Sequence, residues 1–501
     1  MNDKYRLRQL ALVGVALAAH AAYGQGQSAR EVLEQAAQAM GGLQRLQSLD
    51  NLVMTGFGQY VNQQGGSALS PDARAPLKWT VAHDAQRVFD LKNERALNLD
   101  RRGSLFPFAI ERPWDRTSQV QTGVAALDHP VPALLEALDA DTKLGPVSVE
   151  DGLTVVEFTL AQGPTIWLAV DPATKLPAWV RSIGPSTTLG DITTTTYFTG
   201  YLPFGDLELP VGLTAEMDWR HVTAMMFNVD SYRANATNLP ELPAAPAPAA
   251  PAEPRRAEAT KIADKVWDVR IGGNGGAVIE FADHLVMFEA YNNESDTFAR
   301  LDVADALVPG KKVTHVIVTH HHFDHSGGLR AAVSRGLTII ARRGNEGIFR
   351  EMVARPAPNF PDALARNPQP LKFVPVDEQL TLDDGTMRVD VYRAVGHLHM
   401  AESVFAYIPG PRIFLEGDFT TFDWDWNWWG GAYLDNVERY GLSPAINIPV
   451  HGIVTPYDET IATIEKQVRN ARDYCTRQAR AGVYPAGCPV QYSRDASRAP
   501  R

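Results

Sequence analysis

Cysteine is nearly absent: Cys475 and Cys488, both near the C-terminus, are the only two in 501 residues. Thiol chemistry therefore has little to stand on. In an oxidising compartment the pair reads as one disulfide rather than two free thiols, closing a loop that would contribute roughly 3 kcal/mol in the chain-entropy model. Positive charge is also in deficit, with 47 Lys and Arg against 58 Asp and Glu and a net charge of −11. No basic run occurs along the mature chain, which argues against a nucleic-acid partner, since phosphate binding draws on clustered Lys and Arg. Long apolar runs are missing too. A membrane span needs about 20 consecutive apolar residues, and the best candidate, "LALVGVALAA" (10–19), is too short. It follows Lys4, Arg6 and Arg8 and precedes the small residues of "HAAYGQ", the pattern of a signal peptide over residues 1–24 with cleavage after Gly24 or Ala21. No cysteine follows for lipid attachment. The expectation is a periplasmic or secreted protein with no transmembrane segment in its mature chain.

What is present is enough apolar sequence for two or three domains. The clearest seam is "LPELPAAPAPAAPAEPRR" (239–256), whose alternating Pro and Ala continue neither a helix nor a strand ladder. It separates an N-terminal module (25–238) from a C-terminal one (257–501). The first opens with a helical spacing of Val32, Leu33, Ala36, Ala37 and Met40, which Gly41 and Gly42 interrupt or end. Short alternating segments with turn signals follow, predicting an antiparallel sheet. Two of its stretches, "VDPATKLPAWV" (170–180) and "YFTGYLPFGDLELPVGL" (197–213), loosely resemble repeats of periplasmic lipoprotein-carrier-like half-barrels. That resemblance implies a role in holding something apolar or in shielding the second module. His83, His129 and His221 lack ligand spacing and read as ordinary histidines.

The C-terminal module interleaves strands with helices, predicting a layered α/β architecture. A hairpin turns at Ala282–Asp283, strands follow at "VTHVIVT", "LTIIA", "MRVDVYRA", "SVFAYIP", "RIFLEG" and "INIPV", and a long helix closes the chain. The stretch "THHHFDHSGG" (319–328) packs four histidines and an aspartate into six positions. Close imidazoles repel when protonated, so a metal ion is the natural reason for their proximity. Further along, "VDVYRAVG" runs into His397 and His399, "RIFLEG" into Asp418 and "INIPV" into His451. Four strands thus end in His or Asp at one rim, where α/β scaffolds converge side chains. Imidazole and carboxylate suit Zn²⁺, although iron and manganese accept the same donors. The set is large enough for two ions sharing a carboxylate, and the spacing is not that of the helical H-E-x-x-H site.

The stretch also resembles the T-H-x-H-x-D-H-x-G-G signature of the metallo-β-lactamase fold, with His399, Asp418 and His451 following in that family's order over roughly 275–460. The resemblance implies an αββα four-layer hydrolase domain with two zinc ions per chain. One would take His320, His322 and His399; the other Asp324, His325 and His451, with Asp418 bridging. It implies a metal-bridging hydroxide attacking an ester, lactone, thioester or amide carbonyl of a small-molecule substrate, with Asp324 as the catalytic residue. His399 is preferred to His397 because the next strand follows it at the family's spacing, leaving His397 as a supporting residue. His321 should point away from the metals, structural or solvent-facing. Asp418 at the bridging position is similar to the thioesterase and lactonase branches, whereas lactamase branches usually carry Cys or Ser there. The 33 residues between Asp418 and His451 leave no room for the insertion of RNA-processing relatives. Trp426, Trp428 and Trp429, in "TTFDWDWNWWGG", are candidate walls of an apolar or aromatic substrate pocket, with Tyr291 a further candidate. β-Lactam hydrolysis, or a periplasmic apolar-ligand carrier with a non-catalytic metal module, are the alternative expectations.

Overall fold

Two sheets that face each other across a wholly apolar layer place the strand ends of the C-terminal module. The computed structural model describes residues 27–61, 70–75, 77, 79–104, 115–161, 163–242, 255–397, 399–420, 427 and 430–482. A seven-stranded sheet is antiparallel through its first four strands, then parallel from Leu285–Phe288 through Val313–Ile317 and Thr338–Arg342 to Lys372–Val376. The six-stranded partner sheet is antiparallel except where Ile413–Glu416 runs parallel to Ile446–Pro449. Ile279, Val286, Phe288 and Ile317 of one sheet pack on Val391, Val404, Ala406, Leu415 and Ile448 of the other. Both faces of these strands are buried, which is why they read as continuous apolar runs.

Helices cover the outer faces. Leu329–Ser334 and Glu346–Ala354 lie over the first sheet through Leu329, Ala332, Ile348 and Met352. Gly431–Arg439 and the 24-residue Tyr457–Arg480 cover the second through Tyr433 and Ile464, against Phe405 and Phe414. The module is therefore the expected four-layer αββα arrangement. One helix, Glu294–Leu307, left only a broken apolar stripe in the sequence because Asp296, Thr297 and Arg300 share its inward face with Leu301 and Ala304. No helix among the described residues is long and apolar enough to cross a membrane. Cys475, on the last helix, is disulfide-bonded, while Cys488 and the signal-peptide stretch lie outside the described residues.

The N-terminal module is one eleven-stranded antiparallel sheet over residues 51–234, with helices Ala29–Ala39 and Pro130–Leu138 packed on one face. Ser28 and Glu31 form a capping box at the first helix. Gly41 and Gly42, with φ of +120° and +102°, then turn the chain into Leu43–Gln47, so the glycines interrupt the helix. Val32, Leu33, Ala36 and Leu134 fill the sheet's inner face together with Phe158, Leu168 and Phe227. The space left beside Pro130–Leu138 is about 130 Å³, short of the roughly 300 Å³ at the lower end of ligand sites.

His129 caps that second helix. Its Nδ1 accepts from the Val131 amide at 3.2 Å, so Nε2 carries the proton toward the Tyr232 hydroxyl at 3.1 Å, which donates in turn to the Pro210 carbonyl. Burial, then the charge of Arg87, pushes this imidazole well below its ordinary value. The unfolded chain takes up a proton below pH 6.5 that the folded state refuses, so stability is full above that pH and falls as pH drops. Chemical denaturation from pH 7 to 5 should show the wild type losing up to about 1.4 kcal/mol per pH unit more than His129→Gln. Parallel pH profiles would contradict this.

The two modules share a core. Val61, Leu189, Met217 and Trp219 of the first belong to one apolar cluster with Leu329, Ile348 and Met352 of the second. Polar contacts close its edge: the Arg220 guanidinium donates twice to Glu351 at 2.7 Å, and Trp219 Nε1 donates to the same carboxylate at 3.0 Å. Asp191 accepts from the amides of Asn359 and Phe360, and Arg355 reaches Asp218 at 2.9 Å.

Candidate metal centre

The strand Val313–Ile317 ends in Val318 and Thr319, and the next turn delivers His320, His322, Asp324 and His325. Gly327 and Gly328 let this turn press against the loop after Leu285–Phe288. A methyl at Gly328 would overlap the Thr297 hydroxyl and the Ala290 carbonyl, and one at Gly327 the Asn292 carbonyl. His399, Asp418 and His451 arrive from the ends of three strands of the other sheet. All seven expected side chains meet at this rim.

They form two groups, His320, His322, His399 and Asp418 in one and Asp324, His325 and His451 in the other, each with ligand atoms within 4.8 Å of one another. Asp418 joins them. Its Oδ2 lies 2.8 Å from His399 Nε2 and 3.4 Å from His320 Nε2. Its Oδ1 lies 3.1 Å from His325 Nε2 and 3.2 Å from His451 Nε2. Asp324 Oδ2 stands 3.2 Å from His451 Nε2. Imidazole nitrogens also converge in pairs, His399 Nε2 on His322 Nδ1 at 3.0 Å and His451 Nε2 on His325 Nε2 at 3.3 Å.

This donor set fits divalent cations. His320 Nε2 is buried without a hydrogen-bond partner, and buried polar atoms rarely stay so without a purpose. Burial drives His320 down to about 4 and His322 well below the ordinary imidazole value, so both offer lone pairs. Burial works against ionisation of the two carboxylates, but neighbouring imidazoles outweigh it: Asp324 stays at about 2 and Asp418 well below its ordinary value. Against the same burial, Asp418 lifts His451 to about 10, and with Asp324 and Glu289 it raises His325. The carboxylate charge that raises these imidazoles is the charge that attracts a cation in place of their protons.

A supporting layer, invisible in the motif, orients the ring nitrogens. Glu289, fully buried at the end of an apolar strand, places Oε1 3.2 Å from His325 Nδ1. Asn274 Oδ1 stands 2.8 Å from His451 Nδ1, and the Thr319 hydroxyl 3.0 Å from His320 Nδ1. Carboxylate and carbonyl partners of this kind fix which nitrogen faces the metal. Glu416, raised to about 8 chiefly by burial, accepts from the Phe419 amide at 2.9 Å and from the Thr420 hydroxyl, shaping the loop that carries Asp418. An acid at the end of an apolar strand was the available signal for both glutamates.

Other expected residues fall elsewhere. His321 is buried, only 1% exposed, not solvent-facing: successive side chains of the turn point to opposite sides, and its outer side is covered by the N-terminal module. His397 is buried with its ring 4.4 Å from Phe419 and 6.0 Å from His399. Tyr291 is buried, close enough to Asp324 for that charge, after burial itself, to help raise its hydroxyl to about 12. Trp426, Trp428 and Trp429 lie outside the described residues.

Two facing mixed sheets, helices on both outer faces and a His/Asp rim at the strand ends define a metallo-β-lactamase fold. Residues 278–436 match the family model of the Metallo-beta-lactamase superfamily, which implies a metal-dependent hydrolase. Among solved structures, the DIM-1 metallo-beta-lactamase exposed to ceftazidime is 17% identical with a TM-score of 0.34, over 44% of this chain and 99% of that one. The metallo-beta-lactamase from Pontibacter korlensis is 20% identical with a TM-score of 0.34, over 43% and 100%. No curated protein matches the chain.

Proposed function

We propose that this chain is an exported, binuclear zinc hydrolase cleaving an ester, lactone, thioester or amide carbonyl in a small apolar or aromatic substrate. The observation that carries the reading is Asp418, whose two oxygens each face a separate group of imidazoles. His320, His322 and His399 would hold one ion, and Asp324, His325 and His451 the other, with Asp418 shared. Bound there, the ions supply a water acidic enough to attack at neutral pH and a Lewis acid for the carbonyl oxygen. Asp324 would handle protons, a role supported by its side chain being 30% exposed, against 22% for His451 and 7% for Asp418. Its carboxylate would orient the attacking water and return a proton to the leaving group. Trp426, Trp428 and Trp429, immediately beyond Asp418 in the chain, would line the substrate side. Export rests on Lys4, Arg6, Arg8 and the apolar stretch 10–19.

Metal analysis of the purified protein, with a panel of chromogenic esters, thioesters, lactones and a β-lactam, tests this directly. About two ions per chain are expected, with hydrolysis abolished by a chelator and restored by Zn²⁺. Hydrolysis that survives complete metal removal, or no metal bound at all, would overturn it.

A further inference from the structure

The loop that carries His451 is held from the opposite sheet. There the stretch "GGNGG" (272–276) joins strands Val266–Arg270 and Ala277–Glu280, and Gly272, with φ of +62°, sits in its turn. The Gly275 amide donates to the Val450 carbonyl at 2.8 Å, and Asn274 pairs with His451 as an isolated antiparallel bridge. Arg270 completes the hold. Its Nη1 donates to the Gly452 carbonyl, its Nη2 to the Pro449 carbonyl at 3.4 Å, and its Nε to Asp268, itself only 4% exposed. One guanidinium thus spans His451, taking a backbone carbonyl on either side of it. Gly275 leaves room for this reach: a methyl there would lie 2.6 Å from Arg270 Cζ. The requirement is for space alone, since the Gly275 φ is not positive.

We infer that Arg270 is a positioning residue for one half of the centre: with Gly275 clearing its path, it fixes the loop of His451 and so sets the affinity of the ion that Asp324, His325 and His451 would hold. The inference rests on the binuclear reading proposed above. A loop pinned at Pro449, Val450 and Gly452 leaves the His451 ring only rotation about its side-chain bonds. Asn274 Oδ1, 2.8 Å from Nδ1, limits that rotation in turn. These contacts fall on a member of the second group, not on His320, His322 or His399, so their loss should be felt by one ion rather than both. Arginine suits the task where lysine does not, because a single ammonium cannot reach carbonyls on both sides of His451 while it pairs with Asp268.

Dialysis of the full-length, zinc-loaded protein against a series of buffered free Zn²⁺ concentrations, followed by elemental analysis, tests this without recourse to activity. The wild type should hold about two ions per chain. Arg270→Lys, which keeps a cation beside Asp268, should hold one of them about 10–100-fold more weakly and leave the other unchanged. Gly275→Ala should do the same by pushing the guanidinium off the carbonyls. The two substitutions combined should weaken that ion about twofold or less beyond Arg270→Lys alone, because both break one contact. A merely structural role would weaken both ions together or neither, and the two effects would add. Wild-type affinity for both ions in either single variant, equal weakening of both ions, or additive effects would each overturn the inference while the binuclear reading stands. A wild type that binds no zinc would overturn that reading and the inference with it. If Arg270→Lys proves unfolded, Gly275→Ala carries the test alone with the same expectation.

Discussion

Asp418→Ala should strip both halves of the centre at once, taking metal content from about two ions per chain to below one and hydrolysis down on the order of a thousandfold. Asp418 faces both groups: its Oδ2 reaches His399 and His320, and its Oδ1 reaches His325 and His451. Removing it leaves five imidazoles with Asp324 as the one remaining carboxylate of the two groups. The loop itself should survive, because Glu416 holds it through the Phe419 amide and the Thr420 hydroxyl. Elemental analysis beside a thermal melt separates loss of metal from loss of fold. Full metal content with undiminished hydrolysis in this variant would remove Asp418 from the centre.

A second large effect is expected one layer further out. Glu289→Ala should weaken metal binding by about 10–100-fold and destabilise the fold by about 3–5 kcal/mol. The carboxylate has two duties, both fully buried. Oε1 faces His325 Nδ1 at 3.2 Å, keeping the other ring nitrogen turned to the rim. Its charge also supports Arg300, which burial pulls down to about 10 despite the countercharges of Glu289 and Asp268. Glu289→Gln keeps an acceptor for His325 but not the charge, so metal affinity should recover in part while stability stays low. Metal titration and urea unfolding of both variants read the two effects apart. Wild-type metal affinity and wild-type stability in both variants would show that Glu289 does neither.

The metal ligands were legible because the chemistry leaves little choice of residue. Imidazoles and carboxylates at the ends of apolar strands have few structural uses, and the spacing from His320 to His325 is set by one tight turn. The layers were legible for the same reason that both sheets are buried, since continuous apolar runs such as Val313–Ile317 and Ile413–Glu416 need cover on two faces. Helix Glu294–Leu307 was not, because Asp296, Thr297 and Arg300 share its inward face with Leu301 and Ala304 and break the apolar periodicity. The partners of the supporting residues were hidden for a different reason: Glu289 and Asn274 act from 36 and 177 positions away from their histidines, and although an acid ending an apolar strand marks Glu289, nothing local says which histidine it meets.

His321 shows most plainly where the division falls. The residues alone pointed to a His/Asp rim that could hold metal on a two-sheet scaffold, because donor type and strand-end position are local properties. They also led to the expected seam between modules, since a Pro/Ala run continues neither helix nor ladder. Only the tertiary structure decided what covers the back of the metal-binding turn. Which surface meets which depends on the docking of Trp219 and Arg220 onto Glu351, a contact between residues 131 or more positions apart. That docking buried a histidine that the sequence left as either structural or solvent-facing.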